Sequence, residues 1–87
     1  MAKGVLFSPM AWEEFLDWHG EISVYRRLTV MIDECRRTPF EGQGKPKRLQ
    51  GGDKLMARRL TDKHRLVYGV SLENILIIRC RGHYDDK

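Results

Sequence analysis

The chain has 87 residues, 41% hydrophobic and 32% charged, and this balance fits one small globular domain spanning residues 1–87 rather than a disordered tail. No apolar run approaches the roughly 20 residues that span a bilayer, and no signal-type segment opens the chain, so we expect a cytoplasmic protein without a membrane partner. The two cysteines, Cys35 and Cys80, are too few for a disulfide framework and occupy apolar positions, which predicts buried thiols.

The net charge of +4 is unevenly distributed along the chain. Residues 1–41 carry 5 Lys/Arg and 7 Asp/Glu, whereas residues 42–84 carry 10 Lys/Arg and 3 Asp/Glu. This segregation predicts a surface that binds a polyanion, and nucleic acid is the commonest polyanion in a cytoplasm. A basic surface that serves only solubility is the simpler alternative.

The N-terminal part predicts a strand followed by a helix. Residues 4–8 form a short apolar run typical of a buried or central strand. Ser8 and Pro9 predict a helix start, because a hydroxyl caps the first turn and proline fits its first position. Gly20 is expected to end this helix in the left-handed conformation. Spacing predicts an apolar stripe of Trp12, Phe15, Leu16 and His19. Trp12 is thus a core candidate, and Trp18 an interface candidate.

A second helix is predicted over residues 22–37, with its apolar positions at helical spacing and Pro39 just beyond its end. The two helices form a hairpin that should cover the apolar face of a sheet. Residues 38–52 contain four glycines and two prolines, which indicates a loop with one short strand near Arg48.

The last third of the chain predicts an antiparallel meander of three strands, so the fold class is α+β. In residues 64–71, alternation places Leu66, Tyr68 and Val70 on the apolar face and Arg65 on the opposite face. In residues 75–81, alternation groups Leu76, Ile78 and Cys80 on one face and Ile77, Arg79 and Arg81 on the other.

Several arginines of this basic region have the planar, forked geometry that suits phosphate groups. Arg59, Arg65, Arg79 and Arg81 could each bind a phosphate in this way, and the residues predicted to bind RNA are Arg59, Lys45, Arg48 and Arg81. The histidines and cysteines show no metal-ligand spacing, so no metal site and no cofactor are expected. His83 follows Arg79 and Arg81 at intervals of two; it is either a proton donor on their face or a solvated terminal residue.

Four segments, residues 36–46 (RRTPFEGQGKP), 58–59 (RR), 64–68 (HRLVY) and 80–84 (CRGHY), resemble the YoeB/Txe toxins of the RelE superfamily. The resemblance extends over nearly the whole chain and implies a RelE-like fold, in which an N-terminal strand and a helical hairpin pack on the meander. It further implies a toxin that cleaves mRNA in the A site of the 70S ribosome, without a metal, and so inhibits translation. A YefM-like antitoxin is the implied partner, and a homodimer is compatible with the resemblance.

The resemblance also implies roles for single residues. Arg65 corresponds to the phosphate-binding arginine of the family, His83 to its general acid and Tyr84 to its terminal tyrosine. Arg59 corresponds to a further basic residue of the catalytic surface.

Lys47 departs from the family pattern, in which a glutamate that serves as general base follows the Lys-Pro pair. A protonated lysine cannot accept a proton. Lys47 could act as the base if neighbouring Arg48, Arg59 and Arg65 disfavour its protonation. Glu41 could replace it, or the chain could be a catalytically attenuated module that binds RNA, ribosome or antitoxin.

Overall fold

The computed structural model describes residues 2–50 and 54–82, and in them the predicted α+β fold is confirmed. The elements follow in the order β1 (Gly4–Phe7), α1 (Pro9–Asp17), a 3₁₀ turn (Trp18–Gly20), α2 (Ile22–Arg37), β2 (Lys47–Arg48), β3 (Met56–Arg59), β4 (Arg65–Val70) and β5 (Asn74–Arg79). None of the helices in these residues is long and apolar enough to cross a membrane.

The five strands form one sheet in the order β1-β5-β4-β3-β2. Strands β2 to β5 are antiparallel neighbours, whereas β1 pairs with β5 in parallel. Strand β1 therefore lies at an edge, and the prediction of a central or fully buried strand was wrong. The two helices that separate β1 from the meander allow this parallel pairing, since parallel strands need a long crossover.

Both helices begin as predicted. The Ser8 hydroxyl accepts a hydrogen bond from the Ala11 amide at 3.0 Å, and Pro9 occupies the first turn of α1. Helix α2 has the predicted bounds. Gly20, by contrast, ends a 3₁₀ turn and is not among the residues with positive φ, so the predicted left-handed cap was wrong.

The stripe that α1 buries differs from the prediction. Ala11, Glu14 and Trp18 are buried, while Trp12 and Leu16 remain about half exposed, at 48% and 52%. Trp12 is held instead in an aromatic cluster with Phe7 and Phe15 at the edge of the sheet, with ring centroids 5.5 and 5.8 Å from its own. The expectations for the two tryptophans were therefore reversed, because Trp18 belongs to the core.

The core lies between the helical hairpin and one face of the sheet, and it includes the two predicted buried thiols, Cys35 and Cys80. Leu66 and Tyr68 point into it as predicted. On β5, however, Ile75 and Ile77 are buried and Leu76 is exposed. The register explains this inversion: Val67 pairs with Arg79 but Tyr68 with Ile77, which leaves Ile78 as an extra residue that shifts the alternation by one.

Candidate functional site

A cationic pocket of about 170 Å³ opens on the face of β3 and β4 that points away from the core. It is lined by Gly44, Lys45, Lys47, Ala57, Arg58, Arg59 and Arg65. Four of the sequence-predicted site residues are thus brought together: Lys45, Lys47, Arg59 and Arg65. Four cationic side chains around one depression form a site suited to a phosphate-bearing ligand.

The register of the sheet brings these side chains together. Arg59 and Arg65 are directly paired across β3 and β4, and Lys47 on β2 is paired with Ala57 on β3. The pairing works because directly opposed residues point to the same face of a sheet, with their Cβ atoms about 5 Å apart. Neighbouring strands therefore contribute adjacent cations although 18 positions separate Lys47 from Arg65.

Arg65 is only 6% exposed, so its guanidinium is held by the protein. Its Nη1 donates to the carbonyl oxygens of Thr61 and His64 at 2.9 and 3.1 Å, in the turn between β3 and β4. A mobile side chain loses conformational freedom when it binds a ligand, and this loss weakens binding. A cation that the protein already orients therefore binds phosphate more effectively than a mobile one.

Gly44 fixes the loop that carries the lysines. Its carbonyl oxygen accepts a hydrogen bond from the Arg59 amide at 2.8 Å, and its φ of 80° lies in the left-handed region. A Cβ at this position would lie 2.8 Å from the Arg59 carbonyl oxygen, closer than real contacts allow. Only glycine therefore permits this approach of the loop to β3, which sets Lys45 beside Arg59 in the pocket lining.

Arg58 is the residue of this region that sequence reasoning missed. It lies on the core side of β3, and its side chain is fully buried. Its guanidinium forms an ion pair with Glu34 at 2.6 Å and a hydrogen bond to the Tyr68 hydroxyl at 3.0 Å. It also donates to three loop carbonyl oxygens, those of Thr38, Glu41 and Gln43. The clue in the sequence was a charge between Met56 and Leu60 on the apolar face of the strand.

Tyr68 completes the attachment of the loop. Its hydroxyl donates to the carbonyl oxygen of Pro39 at 2.6 Å, and burial raises the pKa of this phenol to about 12. Tyr68 and Arg58 together anchor residues 38–43, which lead directly to the lysines of the pocket. The core side of the sheet thus positions the ligands on its other side.

Two predicted RNA-binding residues lie outside the pocket lining. Arg48 is exposed on β2, paired with Met56. Arg81 lies against the 3₁₀ turn, with its guanidinium 5.1 Å from the Trp18 ring and 3.5 Å from Asp17. The structure therefore separates Arg81 from the four cations of the pocket. Arg79, a further phosphate candidate, is not in the pocket lining and forms an ion pair with Glu14 at 2.6 Å. His83 and Tyr84 lie outside the described residues.

The chain that leads to His83 is held firmly up to Gly82. Glu14 accepts a hydrogen bond from the Cys80 amide and another from Arg79 Nε, both at 2.8 Å. Trp18 Nε1 donates to the Cys80 carbonyl oxygen at 2.8 Å. The Arg65 amide donates to the Gly82 carbonyl oxygen, also at 2.8 Å. Helix α1 and the start of β4 together fix residues 79–82. Across residues 2–50 and 54–82, no group of three His, Cys, Asp or Glu side chains could hold a metal ion.

Comparison with known families decides what kind of protein carries this pocket. The model of the family described as "YoeB-like toxin of bacterial type II toxin-antitoxin system" matches residues 7–84. The chain belongs to the family of YoeB-like toxins. Toxin RelK of Mycobacterium tuberculosis is 42% identical over 84 residues, which are 94% of this chain and 99% of that toxin.

Solved structures of YoeB toxins have the same fold. The YoeB dimer from Staphylococcus aureus superposes with a TM-score of 0.87 at 29% identity, covering 97% of this chain and all of that one. The heterotetrameric YoeB–YefM toxin–antitoxin complex from the same organism gives a TM-score of 0.83, again at 29% identity and with the same coverage. The family match spans the cationic pocket and both residues expected to complete the site, His83 and Tyr84.

Proposed function

We propose that this YoeB-like toxin is a ribosome-dependent endoribonuclease that cleaves mRNA in the A site of the 70S ribosome and thereby inhibits translation. The observation that carries the proposal is the pocket in which Lys45, Lys47, Arg59 and Arg65 converge. RNA cleavage needs such a site, because negative charge builds up on the phosphoryl oxygens in the transition state. YoeB and RelE toxins are endoribonucleases as a class, which agrees with this chemistry.

In the proposed reaction the RNA supplies its own nucleophile. The 2′-hydroxyl oxygen attacks the adjacent phosphorus, the bond from phosphorus to the 5′-oxygen breaks, and a cyclic phosphate and a 5′-hydroxyl end result. Arg65 binds the scissile phosphate and Arg59 adds charge on the same face. Because the nucleophile belongs to the RNA, no metal ion is needed to generate it.

Two proton transfers accompany this displacement. His83 donates a proton to the departing 5′-oxygen as the general acid, and Tyr84 assists at the same end of the site. The proton of the 2′-hydroxyl goes to a base beside the pocket. Lys47 lines the pocket and occupies the position of the family glutamate, whereas Glu41 is not among the lining residues. Lys47 therefore stands where the base is required, and a lysine accepts this proton only in its neutral form.

A YefM-like antitoxin is the proposed partner that neutralises the toxin. The support is the Staphylococcus aureus structure, in which a YoeB toxin with this fold is complexed with YefM. The YoeB dimer from that organism likewise supports a homodimer as the state of the toxin alone.

Lys47 itself favours a second candidate function. With a cation where the family has a carboxylate, the pocket would bind the RNA backbone on the ribosome without cleaving it. Such a module would stall translation and would still be captured by its antitoxin.

Cleavage mapping on programmed 70S ribosomes tests both candidates. We expect position-specific cuts that end in a cyclic phosphate; stalling without cuts would support the binding module.

Arg59→Ala should weaken binding to ribosomes and reduce the slope of its salt dependence by about one counterion. Arg27→Ala is the matched control, because Arg27 is an exposed arginine on α2. Equal losses in both variants would show that net charge, and not the pocket, controls binding.

A further inference from the structure

We propose that His64 is a positioning residue for the reaction, whose neutral imidazole holds the backbone of Gly82 and thereby sets the position of His83. The inference rests on the proposed function, since it concerns the residue assigned as general acid. His64 immediately precedes Arg65, so one short segment would fix both the phosphate ligand and the proton donor.

The contact is made by a side chain with a backbone amide. The Gly82 amide donates a hydrogen bond to His64 Nδ1 at 2.8 Å. At the same residue, the Gly82 carbonyl oxygen accepts from the Arg65 amide at 2.8 Å. Both polar backbone groups of Gly82 are therefore bound by residues 64 and 65. Gly82 has a φ of 104°, in the left-handed region that favours glycine.

The imidazole is itself locked in place. Its ring meets the Trp18 ring edge to face, with 4.8 Å between centroids, and Trp18 holds the Cys80 carbonyl oxygen. A rotation of His64 would therefore disturb the whole attachment of residues 80–82. This packing distinguishes the contact from a chance hydrogen bond at the surface.

Acceptance of the Gly82 hydrogen bond requires that Nδ1 carry no proton, so the ring proton must reside on Nε2. Burial lowers the pKa of His64, and the positive charges of Arg81, Lys63 and Arg65 act in the same direction, while Glu21 opposes them. Because the folded-state pKa is lowered, the contact is present at neutral pH and is lost as the pH falls through that pKa. Protonated Nδ1 would then be a donor facing the Gly82 donor.

Two variants distinguish the role of the hydrogen-bond acceptor at residue 64 from the role of its titrating charge. His64→Asn retains an acceptor oxygen near the position of Nδ1 and does not titrate, whereas His64→Leu has no acceptor. His19→Asn is the matched control, since His19 is exposed and packs on Tyr25 instead. The measurements are single-turnover cleavage on programmed ribosomes from pH 5.5 to 8 and the Gly82 amide resonance of the free toxin from about pH 4 to 8, because the pKa of His64 lies below its ordinary value.

We expect His64→Leu to lower the cleavage rate on the order of 10-fold at saturating toxin, with the half-saturating concentration unchanged within about twofold. His64→Asn should keep the rate and abolish the acid-side titration of the Gly82 amide, whereas His19→Asn should change neither. If His64→Leu cleaves at the wild-type rate, or if His64→Asn behaves like His64→Leu, the proposal is overturned. If the wild-type toxin cleaves nothing, the proposed function fails. The Gly82 amide resonance still tests the His64 contact in that case, because a wild-type toxin whose Gly82 amide does not titrate would overturn the contact.

Discussion

The two faces of β3 treat adjacent arginines in opposite ways. Arg58 points into the core, where Glu34, Tyr68 and three loop carbonyl oxygens accept its hydrogen bonds. Arg59 points outward and lines the cationic pocket. The residue type is the same, but the protein supplies the acceptors of Arg58, whereas the exposed guanidinium of Arg59 can be offered acceptors by a ligand. Strand alternation therefore divides a basic stretch of sequence between a structural role and a binding role.

On the core face, burial affects the pKa of a thiol more strongly than a neighbouring cation does. Burial raises the pKa of Cys35 to about 11, although the positive charge of Arg58 acts in the opposite direction. A guanidinium in such surroundings is stable only because its hydrogen bonds are satisfied. On the pocket face, Arg59 is exposed and can bind an anion from solvent.

The largest expected effect comes from exchanging the two arginines for alanine in turn. Arg58→Ala should destabilise the fold by about 3–5 kcal/mol, because Glu34 and the loop carbonyl oxygens lose their partner. Arg59→Ala should change the free energy of unfolding by no more than about 0.5 kcal/mol. Urea unfolding measures both. Comparable destabilisation in the two variants would contradict the division between the faces.

The pocket face can be tested by giving it the carboxylate that it lacks. Lys47→Glu should raise ribosome-dependent cleavage on the order of 10²-fold, because a carboxylate ionised at neutral pH can accept the proton of the 2′-hydroxyl. Single-turnover rates on programmed ribosomes measure the effect separately from binding. Lys47→Glu combined with His83→Ala serves as the control and should not restore full activity. A rate that falls in Lys47→Glu would instead show that the lysine is the working base.

The smallest effect concerns the thiols of the core face. Burial raises the pKa of Cys80 to about 12 and that of Cys35 to about 11, against an ordinary value of 9.0. The folded state therefore keeps its thiol protons after the unfolded state has lost them, so the free energy of unfolding should fall as the pH rises above about 9. The labelling rate of the thiols at pH 8 should be limited by opening of the fold. Cys80→Ala should lower the free energy of unfolding by on the order of 1 kcal/mol. Rapid labelling of both thiols in the folded protein would contradict this.

Local patterns predicted much of the fold. The Ser8-Pro9 helix start, the bounds of α2 and the short strand near Arg48 depend on nearest neighbours in sequence, and the structure has all three. Helix α1 was harder, since the predicted apolar stripe contained Trp12 and left out Trp18, which is buried. The choice between them depended on the residue that follows β5, because Trp18 donates its indole proton to the Cys80 carbonyl oxygen.

The sequence by itself determined the composition of the site: a cluster of cations between residues 45 and 65 and a His-Tyr pair at positions 83 and 84. Tertiary structure decided which cations share a pocket, because the pairing of β2, β3 and β4 selects Lys47, Arg59 and Arg65 and leaves Arg81 beside Trp18. It also decided that Arg58 is buried and that His64 holds Gly82. These contacts join residues distant in the chain, and no local periodicity encodes the acceptors that another segment will present.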